Sequence, residues 1–96
     1  MEEHAVTMKP EAYSSLSWQE RRTIRNAYVE LQDNKCFHCG ENLDDEPSDK
    51  PPIVWSLFPE NFLDHPVHLQ HNHETDMTEG AVHAYCNAIM WQYEGR

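Results

Sequence analysis

The sequence contains no long hydrophobic run and no secretory signal. No apolar stretch approaches the roughly 18 residues that a membrane span requires, and residues 1–10 carry acids without an apolar segment. We therefore expect a soluble, cytoplasmic protein. The 96 residues are enough for one small domain, and a domain of this size buries only about two-thirds of its unfolded surface. Its hydrophobic core must be thin.

Basic residues are scarce. The chain has 7 Lys and Arg against 17 Asp and Glu, a formal net charge of −10, and residues 51–95 contain no Lys or Arg. This balance argues against a protein that holds nucleic acid through a broad basic face. Arg21, Arg22 and Arg25 form one local basic cluster. These arginines are either contacts for a DNA backbone or part of a solvated helix face paired with neighbouring glutamates.

The three cysteines cannot all pair as disulfides within one chain, and their short spacings favour metal binding. Cys36 and Cys39 form a Cys-x-x-Cys motif followed by Gly40, and His83 and Cys86 form a His-x-x-Cys motif. Zinc takes four nitrogen or sulfur ligands in a tetrahedron, and two residues three apart can hold one side of it. The sequence therefore predicts a structural zinc site of three thiolates and one imidazole. The alternative is that the cysteines are ordinary buried thiols.

Sequence patterns predict a small α+β fold. Ser17 and Glu20 have the spacing of a capping box, and the helix that they begin should end near Gln32. Residues 67–70 alternate between apolar and polar, which favours a strand, and residues 80–82 suit a second strand across a hairpin loop. Residues 84–93 are helix-forming. The apolar stripe of the first helix is expected to comprise Ile24, Ala27, Tyr28 and Leu31.

The remaining segments have little regular pattern. Residues 1–16 are polar and irregular, so we expect a flexible N-terminal arm that packs in part through Tyr13 and Leu16. Residues 41–52 read as a charged, solvated loop, and residues 53–58 as either a buried strand or an apolar loop. Residues 17–95 then form a single zinc-bound domain.

Residues 68–73, with the sequence HLQHNH, contain the densest cluster of histidines. On a strand, His71 and His73 share one face and Gln70 lies opposite, whereas His68 reads as a surface or hairpin histidine. Asn87 lies on the last predicted helix. A hairpin followed by a helix can hold a divalent cation between them, beside a histidine that deprotonates a water molecule.

The segments LQHNHET (69–75) and GAVHAYCN (80–87), with the Cys-x-x-Cys motif upstream, resemble the ββα-metal core of HNH endonucleases. The resemblance covers residues 36–92 and is closest to the phage endonucleases that resolve branched DNA. It implies an N-terminal helix, a zinc knuckle and a ββα-metal core, with hydrolysis of DNA phosphodiesters in the cytoplasm of a phage-infected cell. It also implies that a homodimer can form. Trp18, Tyr28 and Trp91 are candidates for that interface or, more commonly, for core packing.

The same resemblance implies a role for each matched residue. His71 matches the general base, and Asn87 matches a ligand of a catalytic Mg²⁺ or Mn²⁺. His73 matches the second histidine, which contacts phosphate or supports the site. The structural zinc ligands would be Cys36, Cys39, His83 and Cys86, with a histidine replacing the usual cysteine at position 83.

Gln70 departs from the family, which has a metal-binding Asp, or sometimes His, at this position; His68 and Asn72 are the candidates to compensate for it. A glutamine offers a carbonyl oxygen without charge, which should weaken divalent-cation binding. Two functions therefore stay open. The first is a metal-dependent DNA endonuclease with weak, salt-dependent DNA binding. The second is a zinc-binding module on the same fold that has lost catalysis and acts on a protein partner, for example as an acidic inhibitor that imitates DNA.

Overall fold

A computed structural model of the chain describes residues 9–94. Its regular elements are helix α1 (Trp18–Leu31), strands β1 (Val67–His71) and β2 (Thr78–His83), and helix α2 (Ala84–Glu94). The two strands form one antiparallel sheet, which confirms the predicted small α+β class. No helix within the described residues has both the length and the apolar character that crossing a lipid bilayer requires.

Helix α1 begins at the predicted capping box. The Ser17 hydroxyl accepts a hydrogen bond from the Glu20 N–H, and the Glu20 carboxylate accepts one from the Ser17 N–H. This reciprocal pair satisfies N–H groups that the first turn leaves without helical partners. Tyr28 is buried as predicted, but Leu31 is 42% exposed. Leu31 is the last residue of α1, and the chain turns away directly after it through left-handed residues 33 and 34.

The hairpin changes register next to the histidine cluster. Val67 lies opposite His83 and Gln70 lies opposite Gly80, but His71 pairs with Thr78, one residue out of step. An irregularity of this kind increases the local twist and changes the direction of the side chains around it. Strict alternation therefore does not hold along β1.

The end of α1 and the cysteine turn pack tightly on β2. The Gln32 side chain donates to the Ala81 carbonyl and accepts from the Ala81 N–H, and the Phe37 N–H also donates to that carbonyl. A Cβ at Gly80 would lie 2.8 Å from Gln32 Oε1 and 2.9 Å from the Phe37 ring. Glycine is needed at position 80 because the two segments approach the strand so closely.

The hydrophobic core lies where α1, the hairpin, α2 and the cysteine turn meet. Two of the predicted metal ligands are part of it, since Cys36 is 3% and Cys86 1% exposed. The core cluster comprises Tyr28, Cys36, Leu43, Leu69, Ala81, Val82, Cys86 and Met90. Trp18 and Trp91, which packing considerations favoured as core residues, are instead 64% and 45% exposed. Each lies at a helix surface that no other described element covers fully.

Residues 53–58 form an apolar loop rather than a strand. They contain a short 3₁₀ turn, Trp55–Leu57, with exposed apolar side chains. The prediction of an N-terminal arm falls partly on residues 1–8, which lie outside the described residues, as does residue 95 of the predicted domain. Within the described part, the Tyr13 N–H donates to the Asp76 carbonyl and the Thr78 N–H donates to the Glu11 carbonyl. This part of the arm packs on the hairpin, while its flexibility stays a prediction.

Candidate metal centre and histidine cleft

The four predicted zinc ligands lie together. The ligand atoms of Cys36, Cys39, His83 and Cys86 are all within 4.8 Å of one another. Cys36 and Cys39 come from the turn after α1, His83 ends β2, and Cys86 lies in the first turn of α2. A cluster of three thiols and one imidazole could hold a metal ion such as zinc.

The spacing of the ligand atoms suits a tetrahedral zinc site. His83 Nδ1 lies 3.5 Å from the Sγ atoms of both Cys39 and Cys86. Zinc–sulfur and zinc–nitrogen bonds of ordinary length give a tetrahedral edge of about 3.6 Å. His83 Nε2 donates a hydrogen bond to the Asn42 carbonyl at 2.9 Å. The hydrogen bond therefore leaves the Nδ1 lone pair directed at the thiols, as a metal ligand requires.

The electrostatics of the thiols also favour a cation. The pKa of Cys36 is lowered to about 4, chiefly because the Cys86 thiol donates to its sulfur, with further donation from backbone N–H groups of Cys39, His83 and His38. The pKa of Cys86 is raised in turn by that hydrogen bond and by burial, and the pKa of Cys39 is raised chiefly by burial. Like charges this close cannot all form unless a cation balances them. Binding of a divalent metal removes that obstacle.

The turn that carries the first two cysteines is fixed by its backbone. The Gly40 N–H donates to the Cys36 carbonyl at 2.9 Å, and the Cys36 N–H donates to the Glu41 carbonyl at 2.8 Å. Gly40 has φ of 78°, in the left-handed region that favours glycine. The turn therefore presents both sulfur atoms to the same point.

A cleft of ≈ 690 Å³ lies between α1, the hairpin and α2. We call it the histidine cleft. It brings together residues that are far apart in sequence: the arginine cluster of α1, the histidines of β1 and of the loop after it, and the amide of α2. The polar side chains that line it include Arg21, Arg22, Arg25, His65, His68, His71, His73 and Asn87.

The histidine cleft is free of acids although the chain is strongly acidic. Among the described residues that line it, none is Asp or Glu. Arg21, Arg22 and Arg25 form no ion pair with a carboxylate within residues 9–94, so the alternative of a salt-bridged helix face finds no support there. The Nε atom of Arg21 is buried without a hydrogen-bond partner. Burial, and next the charge of Arg22, lowers the pKa of Arg25. An anion in the cleft would accept a hydrogen bond from Arg21 and would offset the charge repulsion between Arg22 and Arg25.

His71 is held in the cleft by aromatic stacking. Its ring lies parallel to the Tyr13 ring, with centroids 3.8 Å apart, and the guanidinium of Arg21 lies 4.0 Å from the Tyr13 centroid. Burial lowers the pKa of His71, and the charges of His73 and Arg21 lower it further, against opposing contributions from two nearby acids. The imidazole is therefore neutral at pH 7 and can accept a proton.

His68 also lies in the cleft, although the sequence favoured a surface or hairpin histidine and left a cation-binding role for it as the alternative. Asn87 Nδ2 donates to His68 Nδ1 at 3.0 Å, and His68 Nε2 donates to the Phe62 carbonyl at 2.9 Å. Burial lowers the pKa of His68. In the sequence, His68 is only a histidine near the start of a predicted strand. Asn87 lies nineteen residues later, and the two cannot be matched until the register of the hairpin is known.

Gln70 lies outside the cleft. Its side chain is 1% exposed and donates to the His71 carbonyl at 2.8 Å. The structure therefore brings His71, His73 and Asn87 into one cleft with the arginines, but it does not bring Gln70 there.

The donors beside Asn87 do not suit Mg²⁺. Magnesium requires oxygen ligands, usually including a carboxylate, and no described lining residue has a carboxylate. An amide oxygen and an imidazole nitrogen, from Asn87 and His68, suit Mn²⁺ and later transition ions better.

We compared the chain with known proteins. It matches no protein-family model, no curated protein and no solved structure. The resemblance to HNH endonucleases therefore stays an expectation from the sequence motifs.

Proposed function

We propose that this protein is a metal-dependent endonuclease that hydrolyses phosphodiester bonds in DNA. One observation carries the proposal. His71, His73, Asn87 and the three arginines of α1 line a single cleft that has no acidic lining residue within the described part of a chain of net charge −10.

The arginines would bind the DNA backbone. Guanidinium groups form charge-assisted, often bidentate hydrogen bonds with phosphate oxygens. Arg21, Arg22 and Arg25 follow one another along one side of α1 and face the same cleft as the histidines. A phosphate that they hold would therefore lie next to the group that activates water.

His71 would act as the general base. Its neutral imidazole takes a proton from a water molecule, and the oxygen of that water attacks the phosphorus. The bond from phosphorus to the leaving ester oxygen then breaks, and that oxygen takes a proton from the solvent of the open cleft. Tyr13, stacked on His71, keeps the ring in one orientation during the transfer. His73 packs edge-on against His71, with ring centroids 4.6 Å apart, and would contact a phosphate oxygen.

His68 and Asn87 would hold the catalytic cation. A bound divalent ion would neutralise charge that develops on the phosphate oxygens. Because one donor is an imidazole, we propose Mn²⁺ rather than Mg²⁺ as the more effective ion. The two side chains are already adjacent, because Asn87 Nδ2 donates to His68 Nδ1. A bound ion would replace this hydrogen bond, with the Asn87 amide turned so that its oxygen and the His68 Nδ1 lone pair both face the ion.

The cysteine–histidine cluster would serve this site structurally. We propose that zinc occupies it, because four protein ligands leave no open position for chemistry. The zinc would join the turn after α1 to the end of β2 and the start of α2. It would thus hold β1 and α2 in the relative position that forms the cleft.

The test is cleavage of supercoiled plasmid and of a branched DNA junction by zinc-loaded protein, with Mn²⁺ or Mg²⁺ added. We expect nicking that is stronger with Mn²⁺ and that is lost in His71→Ala and in Asn87→Ala. His65→Ala is the matched control, because His65 is an exposed histidine at the margin of the same cleft. Cleavage that persists in both site variants would identify a contaminating nuclease and contradict the proposal.

The second candidate is a module that binds a protein and does not cut DNA. The burial of Gln70 away from the cleft favours it, since the cation site lacks a carboxylate. The exposed acids Asp44, Asp45 and Glu46 would face a basic partner. Absence of cleavage above background, with zinc bound and the fold intact, would support this function.

A further inference from the structure

The histidine cleft has an apolar wall that phosphate binding and water activation leave unused. Besides the arginines and histidines, it is lined by side chains of the 53–64 segment and of α2, namely Leu57, Phe58, Phe62 and Trp91. Leu57 is 56% and Trp91 45% exposed. Apolar surface of this kind beside a cationic group is costly in water and marks a binding site more often than a solvated face.

The rings of this wall are fixed in relation to one another. Phe58 packs against Phe62 with centroids 4.8 Å apart and against the edge of Trp91 at 5.3 Å. Phe62 in turn packs edge-on against His68 at 4.7 Å. The aromatic surface is therefore preorganised next to the His68–Asn87 pair, and a flat ring could stack on it without rearrangement.

A ligand that fits both sides of the cleft carries an anion and a flat ring. Trp18, which is 64% exposed and has Arg22 above its ring at 5.3 Å, adds a second aromatic surface to the arginine side. The cleft volume of ≈ 690 Å³ is in the range of sites for small organic ligands. A nucleotide carries a phosphate and a flat base in one small molecule, so it suits a cleft that is lined by both arginines and aromatic rings. A paired base in a duplex is stacked inside the helix and cannot reach the wall.

We propose that the histidine cleft binds an unpaired nucleotide of DNA, with its phosphate at the arginines and its base on the wall of Phe58, Phe62 and Trp91. This proposal rests on the proposed function in placing DNA in the cleft, and it specifies the substrate class. The cleft would favour single-stranded over fully paired DNA, because a single strand supplies a free base at the least unstacking cost.

The test is binding of labelled oligonucleotides without a catalytic cation, measured by fluorescence anisotropy. A single strand and the fully paired duplex of the same sequence are compared for the wild type and for Trp91→Ala. Stacking of one base on an aromatic ring predicts a roughly 5- to 150-fold loss of affinity for the single strand, with little change for the duplex. Trp91→Phe, which keeps a ring, should retain most of the binding.

Tyr93→Ala is the control, because Tyr93 is equally exposed on α2 but does not line the cleft. Equal affinity of the wild type for single strand and duplex, or single-strand binding that Trp91→Ala leaves unchanged, would overturn the inference. If paired DNA is cleaved as fast as unpaired DNA, the proposed function stands and this inference fails. If Trp91-dependent binding of unpaired DNA occurs without cleavage, the inference stands and the nuclease function fails.

Discussion

Replacement of Arg21, Arg22 and Arg25 by alanine tests whether the histidine cleft binds phosphates. These are three of the chain's 7 Lys and Arg, and they line one acid-free cleft without an ion pair to a carboxylate in the described residues. Each phosphate that an arginine contacts releases condensed counterions from the DNA, so the affinity depends on salt in proportion to the number of contacts.

The magnitude follows from the count of arginines. Three contacts to a single strand give a slope of about −2 for the logarithm of the association constant against the logarithm of salt concentration. Between 50 and 200 mM salt, the wild type should lose about 20-fold in affinity. The triple variant should bind far more weakly, with a slope near zero. The assay is anisotropy of a labelled single strand over a salt series, without a catalytic cation.

A matched control removes the same charge elsewhere. Lys9, Lys35 and Lys50 are exposed and do not line the cleft, so their replacement by alanine changes the net charge equally. We expect the slope of this second variant to stay near the wild-type value. If both triple variants lower the affinity and the slope alike, the arginines act only through net charge, and the assignment of a phosphate site to the cleft is refuted.

Three further predictions concern single residues. Cleavage should fall in acid, because His71 then takes a proton and can no longer act as the base. Burial lowers the pKa of His71, so the midpoint of the pH–rate profile should lie below 6.5. Tyr13→Ala exposes the His71 ring and should move that midpoint upwards. Gln70→Asp should not raise the cleavage rate. It should cost on the order of 1–3 kcal/mol in the free energy of urea unfolding, because it places a carboxylate at a position that is 1% exposed; faster cleavage with unchanged stability would contradict this. Ser17→Ala should lower unfolding stability by about 1 kcal/mol through loss of the cap, with cleavage unchanged at temperatures where the protein stays folded.

Local signals in the sequence predicted the fold well where they were strong. The capping box at Ser17 and Glu20 set the start of α1, and the strand and helix patterns of the C-terminal half gave elements within about two residues of their true ends. The two short motifs with metal-ligand spacing predicted the cluster of Cys36, Cys39, His83 and Cys86, because each motif needs only a local turn to present its pair.

Long-range features could not be predicted in the same way. The sequence has no marker for the one-residue change of register after Gln70. Nor does it show how α2 packs on the hairpin, which is what brings Asn87 to His68. The aromatic wall comes from a loop whose pattern fits neither a helix nor a strand. The net charge of −10 averages over the chain and does not show that the described residues lining the cleft include three arginines and no acid.

We propose that the cleft and the core both depend on a metal ion at Cys36, Cys39, His83 and Cys86. Structural zinc in small domains contributes on the order of 10–16 kcal/mol in apparent binding free energy, which is comparable to the whole net stability of a domain, about 5–15 kcal/mol. His83→Cys should therefore keep the ion and the fold, whereas His83→Ala should lose both. His38→Ala is the matched control, because His38 lies between Cys36 and Cys39 in the turn after α1 but is not one of the four ligands.

The most direct measurement is the metal content of the purified protein, followed by circular dichroism as the ion is removed with a chelator. We predict one zinc ion per chain, with loss of the folded signal on its removal and recovery when zinc is restored. Protein that contains no stoichiometric metal, or a folded signal that chelation leaves unchanged, would contradict the account.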